Sequence, residues 1–412
     1  MAGPLAQVRV LDLSRVLAGP WAGQNLADLG AEVIKVERPG IGDDSRAFGP
    51  PWVKGADGRD TKDSAYFTSA NRGKKSITIN VASPQGQALV RALARECDVL
   101  IENYKHGDLA RYGLAYDDLK SVNPRLIYCS ITGFGQTGPY RERPGYDFMI
   151  QGMGGMMSIT GEPDGVSGAG TAGGGPQRAG VPIADIITGM YASIAICAAL
   201  ASRAQSGAGQ HLDLALLDSQ IALLAYQNTN YFSTGKAPGR IGNLHPNIVP
   251  YQPFRSSDGD VIVACGNDNL FRKFCNAAGR PDLATDARFA TNGKRVENRA
   301  ELTRLIQDVF SKKTTAEWLP LLDRAGVPNG PINDIAQVFE EPQVKARGVK
   351  IELQHAAAGK LPLVASPMRF SDTALEYRLA PPLLGEHTDQ ILKEFLKMNE
   401  TEIARLRAEG VV

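Results

Sequence analysis

The chain has 412 residues, 43% hydrophobic and 22% charged, which is the composition of an ordinary globular protein with room for two domains. Its 45 lysines and arginines nearly balance its 44 aspartates and glutamates, so charge gives no reason to expect nucleic acid or an anionic membrane as a partner. The five cysteines are odd in number, scattered and without a C-x-x-C pair, which argues against a disulfide framework and favours reduced thiols.

Strand and helix patterns alternate over the first 135 residues. The first helix has Pro20 in its first turn and Gly30 at its close, and Ser83-Pro84 is an N-cap followed by a first-turn proline. Short apolar runs predict five strands, at 8–14, 31–37, 76–81, 98–103 and 125–135. This alternation predicts an α/β fold with a mostly parallel sheet and helices on both faces.

Sheets of this kind bind ligands beyond the carboxyl ends of their strands. The polar residues at those ends are therefore the first candidates for a site: Glu37-Arg38, Asn103-Tyr104 and Thr132 to Gln136.

The second half of the chain has a different texture. A glycine-rich stretch after residue 150 is either a flexible connection or backbone shaped around a ligand, and it leads to a long apolar helix at about 186–204. A smaller unit with its own strand and amphipathic helices follows. We divide the chain into a large domain (1–205 and 331–412), a linker helix (206–224) and a small α/β domain (225–330).

Several familiar motifs fail on context. The letters GAGTAG at 168–173 match a dinucleotide fingerprint, but no strand precedes them and Pro176 follows where the helix should run, so no nicotinamide cofactor is expected. The segment RGKKS at 72–76 lacks the first glycine of a phosphate-binding loop, because Thr68 stands there. H-E-x-x-H, G-x-S-x-G and clustered cysteines and histidines are absent from the sequence, so we expect no metal site and no serine hydrolase.

Ordered segments along the whole chain resemble the class III CoA-transferases, the family of formyl-CoA transferase and α-methylacyl-CoA racemase. They include VLDLSRVLAGP, LGAEVIKVERPGIGDDSR, YFTSANRGKKSI, DVLIENYKHGDLARYGL, SITGFGQTGP, IADIITGMYASIAICAAL, GQHLDLALLDS and PLLGEHTDQIL. The segments GDDSRAFGPP, VPYQPF and GVPNGPINDIAQVFEEPQV are most similar to transferases of the succinyl-CoA:glutarate type. The resemblance implies a CoA-transferase with two substrates. The donor is expected to be an acyl-CoA, namely succinyl-CoA or another dicarboxyl-CoA, and the acceptor is a carboxylic acid.

The resemblance places the nucleophile of the family at Asp185, just before the long apolar helix. From spacing alone, a helix N-cap is the favoured explanation of Asp185, and the two roles are compatible. We expect the helix dipole and free N–H groups to keep the carboxylate ionised at neutral pH. It would then attack the donor thioester to form an acyl-aspartyl anhydride and, after return of the CoA thiolate, an aspartyl-CoA thioester.

The resemblance also carries CoA contacts to positions of this sequence. They are Leu17, Ala18, Arg38, Ala70, Asn71, Arg72, Gly73, Lys75, Asn103, Tyr104, Lys105, Arg111, Pro144, Gly145, Tyr146 and Asp147. A solvated surface charge is the alternative for each arginine and lysine.

Three further positions are candidates for substrate contacts. Gly154 and Gly155, together with the loop at 242–247, could supply backbone N–H donors to a tetrahedral oxyanion, although turn formation explains such glycines as well. Arg46 is the candidate cation for the distal carboxylate of a dicarboxylate, with a surface or CoA-phosphate contact as the alternative.

Departures from the family narrow the activity. Leu17 replaces the glutamine of formyl-CoA transferases, whose tetraglycine loop is also missing, so formyl transfer to oxalate is disfavoured. Racemases carry histidine where this chain has Tyr146, and a phenol is a poor base at neutral pH, so a racemase or epimerase is the second hypothesis. A CoA-binding protein without catalysis is the third.

The family fold implies a Rossmann-like large domain in an interlocked, ring-shaped homodimer, which neither composition nor periodicity shows. The N-terminus lacks a basic region followed by an apolar one, and charges or glycines interrupt each long apolar run. We therefore expect a cytoplasmic homodimer with no membrane partner.

Overall fold

The computed structural model describes residues 2–165 and 174–412, so the GAGTAG segment at 168–173 lies outside the described residues. The chain forms two compact units. The large unit comprises Met1–Met156, Ala179–Thr234 and Lys345–Val412, and the small unit comprises Met157–Arg178 and Gly235–Val344. The domain boundaries expected from the sequence stay a prediction.

The elements before residue 235 are eight strands and nine α-helices within the described residues. The strands are β1 (Arg9–Asp12), β2 (Glu32–Glu37), β3 (Trp52–Lys54), β4 (Asp60–Ser64), β5 (Lys74–Thr78), β6 (Val99–Glu102), β7 (Ile127–Thr132) and β8 (His211–Ala215). The helices are α1 (Ala18–Asp28), α2 (Ala65–Ser69), α3 (Pro84–Glu96), α4 (Tyr116–Val122), α5 (Asp147–Met153), α6 (Met156–Ile159), α7 (Ile183–Ser206), α8 (Leu216–Leu223) and α9 (Tyr226–Thr234).

The remaining elements follow in the same order. The strands are β9 (Tyr251–Arg255), β10 (Asp260–Ala264), β11 (Asn329–Pro331), β12 (Lys350–His355) and β13 (Gly359–Val364). The helices are α10 (Asp268–Ala277), α11 (Pro281–Thr285), α12 (Asn292–Glu297), α13 (Arg299–Phe310), α14 (Thr315–Ala325), α15 (Ile335–Glu340), α16 (Pro342–Ala346), α17 (Thr388–Leu396) and α18 (Glu400–Ala408).

A six-stranded parallel sheet organises the large unit, with strand order β5-β2-β1-β6-β7-β8. One face is covered by apolar residues of α3, α4, α17 and α18, and the other by those of α1 and α7. The predicted α/β class and parallel sheet are confirmed. The strand order reverses between β1 and β6, and this reversal marks the edge where such sheets bind ligands.

The linker helix predicted over 206–224 is wrong in its secondary structure. Residues His211–Ala215 form β8, which pairs in parallel with β7 and closes the edge of the sheet, and α8 starts only at Leu216. The alternating side chains of HLDLA fit a half-buried strand. Apolar residues follow directly, so the sequence pattern does not show where the strand ends.

The small unit has its own core, built on an antiparallel sheet of β9, β10 and β11. Its centre is a stack of aromatic rings in which Phe310 lies 4.3 Å from Trp318 and 5.1 Å from Phe254, between ring centroids. All three side chains are fully buried. The strand and helices expected within this region are confirmed.

Among the described residues, one helix, α7, is long and apolar enough to cross a membrane by length and composition. It has 24 residues and a mean hydropathy of 1.8, and about a third of its most apolar window is buried. Buried residues of α7, such as Ala192 and Ile196, belong to the core beneath the sheet. Because core helices pass the same test, this feature alone is weak evidence for a membrane.

Candidate active site

Asp185 lies in the first turn of α7, as the third residue of the helix. The N-cap position belongs to Pro182, which makes no side-chain capping bond. The interpretation of Asp185 as an N-cap is therefore wrong, because the helix begins earlier than the sequence pattern indicates. The side chain of Asp185 is instead half-buried on the wall of a cavity.

A second carboxylate, Asp147, caps α7 from outside the helix. Its Oδ1 accepts the N–H groups of Ala184 at 2.8 Å and Asp185 at 3.4 Å, and its Oδ2 accepts from Gln151 Nε2 at 2.7 Å. Gln151 also accepts the N–H of Ala179, so α5 holds the segment that leads into α7. The sequence assigned Asp147 to CoA, whereas here its carboxylate supports the helix that carries Asp185.

The surroundings of Asp185 disfavour its charged form. Burial, and then the neighbouring Asp147, raise the pKa of Asp185 from 3.8 to about 7. The raised pKa runs against the expectation that the helix dipole keeps Asp185 ionised at neutral pH, because burial and the neighbouring carboxylate disfavour the charged form.

Tyr66, on α2, is close enough to Asp185 and Asp147 to be affected by their charges, although it is not among the residues that line the cavity. Burial, followed by the charges of Asp185 and Asp147, raises the pKa of its phenol to about 12. Tyr66 therefore stays a neutral hydrogen-bond donor beside the two carboxylates at physiological pH. It belongs to the YFTSANRG segment, but only the tertiary fold brings α2 close to α7.

The cavity that Asp185 lines has a volume of about 200 Å³ and lies at the carboxyl edge of the sheet. Nine residues predicted for the site line it: Leu17, Ala18, Asn103, Tyr104, Lys105, Pro144, Gly145, Tyr146 and Asp185. Residues not predicted for the site also contribute, among them Arg15, Val16, His106, Arg141 and Arg143.

A second cavity, of about 260 Å³, shares Arg15, Tyr104 and Asp108 with the first. Arg38 lines it with an exposed side chain, which makes no ion pair within the part of the chain that the structure describes. Arg38 thus remains an available cation at the end of β2, as the sequence predicts.

Arg46 lies elsewhere and is committed to other groups. It is 4% exposed, its guanidinium forms ion pairs with Glu37 at 2.7 Å and Asp63 at 2.6 Å, and it donates to the carbonyl of Pro382 at 3.0 Å. A buried cation that already faces two carboxylates has little left to offer a substrate. The structure argues against Arg46 as the partner of a distal carboxylate and against its CoA-phosphate alternative.

The segment 70–73 is likewise built into the protein interior. Arg72 pairs with Asp28, and Asn71 bridges the carbonyl of Phe67 and the ammonium of Lys74. Ala70 is buried, and Gly73 donates its N–H to Leu379. Lys75 pairs with Glu32 at 2.7 Å. These five predicted CoA contacts line neither of the two cavities. Their polar groups form hydrogen bonds and ion pairs within the protein instead.

The remaining predicted residues are also outside the cavity of Asp185. Arg111 is exposed and paired with Asp108. Gly154 donates its N–H to the carbonyl of Ile150, and a Cβ there would collide with Gln220, so close packing explains this glycine. Gly155 has a φ of +86° beside Leu224, which fits a turn. The loop at 242–247 belongs to the small unit.

Residues 2–165 and 174–412 contain no group of three or more histidine, cysteine, aspartate or glutamate side chains that could hold a metal ion.

Comparison with known proteins identifies the family. The model of CoA-transferase family III matches residues 5–388. The chain belongs to CoA-transferase family III. It is 50% identical to succinate–glutarate CoA-transferase of Agrobacterium fabrum over 97% of both chains. It is 44% identical to succinyl-CoA:glutarate CoA-transferase of Homo sapiens, over 99% of this chain and 90% of the human one.

Solved structures agree with this assignment. A CaiB/BaiF family protein from Brucella suis superposes with a TM-score of 0.82 at 51% identity, covering 96% of this chain and 100% of that one. The family III member described here is thus a CoA-transferase, whose substrates are a CoA thioester and a carboxylic acid.

Proposed function

We propose that this CoA-transferase moves CoA from succinyl-CoA to glutarate or a similar dicarboxylate, with Asp185 as the nucleophile. The observation that carries the proposal is the position of Asp185, at a helix terminus on the wall of the cavity. The succinate–glutarate activity named for the relatives from Agrobacterium fabrum and Homo sapiens supports the choice of acids.

The reaction proceeds through exchange of acyl groups on one carboxylate. Asp185 attacks the thioester carbon of succinyl-CoA and the C–S bond breaks. This step forms an aspartyl-succinyl anhydride and releases CoA thiolate. The thiolate then attacks the aspartyl carbon, releasing succinate and forming an aspartyl-CoA thioester. Glutarate attacks this thioester to give a second anhydride and thiolate. Attack of the thiolate on the glutaryl carbon yields glutaryl-CoA and free Asp185, so protons, oxidants and water are not consumed.

The two neighbouring cavities supply a path for the CoA thioester. The acyl end lies against Asp185 in the first cavity, and the nucleotide end extends past Tyr104 and Arg15 into the second. Arg38 there is a suitable partner for a phosphate, since its exposed guanidinium forms no ion pair among the described residues.

Arg143 replaces Arg46 as the candidate for the distal carboxylate. Its guanidinium lies 4.4 Å from the ring centre of Tyr140 and 5.3 Å from that of Phe134, and Arg143 forms no ion pair within residues 2–165 and 174–412. Of the other cations on the cavity wall, Arg15 pairs with Asp44 and Arg141 with Glu142, and Lys105 is a predicted CoA contact. The distal carboxylate of a dicarboxylate would pair with Arg143, whereas a monocarboxylate has no second carboxylate to offer this arginine.

The proposal includes a homodimer, in the interlocked form that the family implies. Supporting it, α7 exposes Met190, Tyr191 and Ile194 by 41% to 62%, and the large side chain of Phe232 on α9 is 76% exposed. Monomeric proteins seldom expose apolar surface of this extent along their helices.

A cytoplasmic location is also part of the proposal. All five cysteines are free thiols, four of them buried, and burial raises the pKa of Cys197 as well as that of the buried four. Thiols of this kind are inert packing residues, consistent with a reducing compartment.

A matrix of CoA donors against carboxylic acids, read by mass spectrometry, tests the function. Succinyl-CoA with glutarate should be among the fastest pairs, Asp185→Asn should lose transfer by about 10⁶-fold, and Asp57→Asn, an exposed aspartate, should retain it. Arg143→Gln should raise the KM for glutarate while sparing monocarboxylates, and Arg141→Gln should not.

Two outcomes contradict the proposal. Deuterium exchange at C2 of a branched acyl-CoA, without transfer, would support the racemase alternative. Binding of CoA with no turnover across the whole matrix would support a non-catalytic CoA-binding protein.

A further inference from the structure

Two loops leave the sheet side by side at the point where its strand order reverses. The first follows β1 and leads into α1, and the second follows β6. Asn103 joins them, because its Oδ1 accepts the N–H of Arg15 at 2.9 Å and its Nδ2 donates to the carbonyl of Arg15 at 2.7 Å. One amide therefore fixes both backbone groups of a residue 88 positions away.

The next residue, Val16, has a strained backbone. Its φ is +70°, in the left-handed region that a β-branched side chain almost never occupies. Such a conformation costs free energy and persists only where the surrounding structure imposes it. Glycine would adopt the same φ without a Cβ penalty.

Buried side chains impose the conformation from the other side. Asp43 Oδ1 accepts the N–H of Val16 at 3.0 Å, and the Asp43 carboxylate is held by an ion pair with Lys35 at 2.8 Å. Lys35 also donates to the carbonyl of Ser14 at 2.9 Å. The backbone groups of Ser14 and Val16 are thus bound by Lys35 and Asp43, two side chains that solvent does not reach.

This strained turn decides where α1 begins relative to Asp185. Leu17 and Ala18 follow it directly and line the same cavity as Asp185. A Cβ at Gly189 would come within 2.7 Å of the carbonyl oxygen of Ala18, so α1 and α7 approach closely there. Gly189 is four residues after Asp185 and shares its face of α7. A shift of residues 15–18 would therefore move the wall that faces the nucleophile.

We propose that Asn103 and Asp43 are positioning residues for CoA transfer: they hold Val16 in its left-handed conformation and so place Leu17 and Ala18 opposite Asp185. This role differs from the direct CoA contact that the sequence assigned to Asn103. It rests on the proposed function, since transfer is the activity measured.

A double-mutant cycle of Asn103→Ala with Val16→Gly tests the proposal, using succinyl-CoA and glutarate. In the valine background, Asn103→Ala should lower kcat by roughly 10- to 100-fold with little change in the KM for succinyl-CoA. In the glycine background the same substitution should lower kcat clearly less, because glycine keeps the turn without the clamp. Calorimetry should give the Asn103→Ala variant the same Kd for CoA as the wild type.

An equal loss of kcat in both backgrounds would overturn the proposal, as would a raised KM and Kd for CoA at unchanged kcat. Thermal unfolding of all four proteins identifies a variant that fails to fold, and Asn103→Asp then replaces Asn103→Ala, since it retains the acceptor for Arg15 N–H. Failure of the wild type to transfer CoA between any acids would instead refute the proposed function.

Discussion

Burial and a second carboxylate both disfavour the charged form of Asp185 and raise its pKa. This raised pKa should determine the pH dependence of transfer. The pKa of about 7 means that protonated Asp185, which cannot attack a thioester, predominates at lower pH. The kcat/KM for succinyl-CoA should therefore rise with pH through about 7 and level off above it.

The variant Asp147→Asn isolates the electrostatic part of this effect. Asparagine keeps an acceptor for the N–H groups of Ala184 and Asp185 but removes the negative charge, so the pKa of Asp185 falls and the rise in kcat/KM moves to lower pH. A profile that does not move when Asp147 is neutralised would show that another group controls the rate.

Individual residues differed in how far the sequence could place them. The family resemblance placed Asp185 at the start of the long apolar helix, and the structure has it on the wall of a cavity. The sequence did not show that Arg46 is paired, because its partners Glu37 and Asp63 lie 9 and 17 residues away and meet it only in the folded unit. The same holds for Asn103, whose amide looks available in the sequence and is bound to Arg15 in the structure.

At the scale of elements, the segment 144–147 is held against the end of β7 by two glycines. A Cβ on Gly145 would overlap the Cα of Gly133, so the two backbones touch where a side chain cannot fit. Gly145→Ala should displace Pro144 to Asp147, weakening both the cavity wall and the cap on α7. We expect a lower kcat and a lower melting temperature.

Gly180→Ala is the matched control for this prediction. A Cβ on Gly180 meets open space, although the residue lies near the start of α7. Activity and melting temperature should therefore stay close to wild type. Equal effects of the two alanines would show that close packing at Gly145 is unimportant.

Elements with clear ends were predictable from the sequence, and those without were not. The N-cap Ser83 and first-turn Pro84 gave the start of α3 correctly. The end of β8 had no such signal, since Leu214 and Ala215 run directly into the apolar start of α8. The start of α7 was predicted three residues late, because its cap is supplied by Asp147 from another helix.

At the scale of the whole molecule, alternating patterns sufficed for the fold class, whereas the proposed homodimer is implied by the family and has no periodic signal in the sequence. The exposed apolar face of α7 provides the test of a dimer. Ile194→Asp places a charge on a residue that is 62% exposed in one chain and would be buried between two. Analytical ultracentrifugation should then show a shift from dimer towards monomer.

Ile41→Asp is the control, since Ile41 is 58% exposed but lies away from α7 in the chain. This variant should sediment as the wild type does. A wild-type protein that is monomeric at all concentrations would contradict the dimer.

Covalent trapping tests the central claim most directly. The enzyme is incubated with succinyl-CoA without acceptor, quenched with hydroxylamine, digested and analysed by mass spectrometry. Attack of hydroxylamine on an aspartyl anhydride or thioester should leave a hydroxamate on Asp185, and omission of succinyl-CoA or substitution Asp185→Asn should abolish it. A wild-type enzyme that transfers CoA to glutarate in a parallel assay, while in the trapping experiment Asp185 stays unmodified or another carboxylate carries the hydroxamate, would contradict the account.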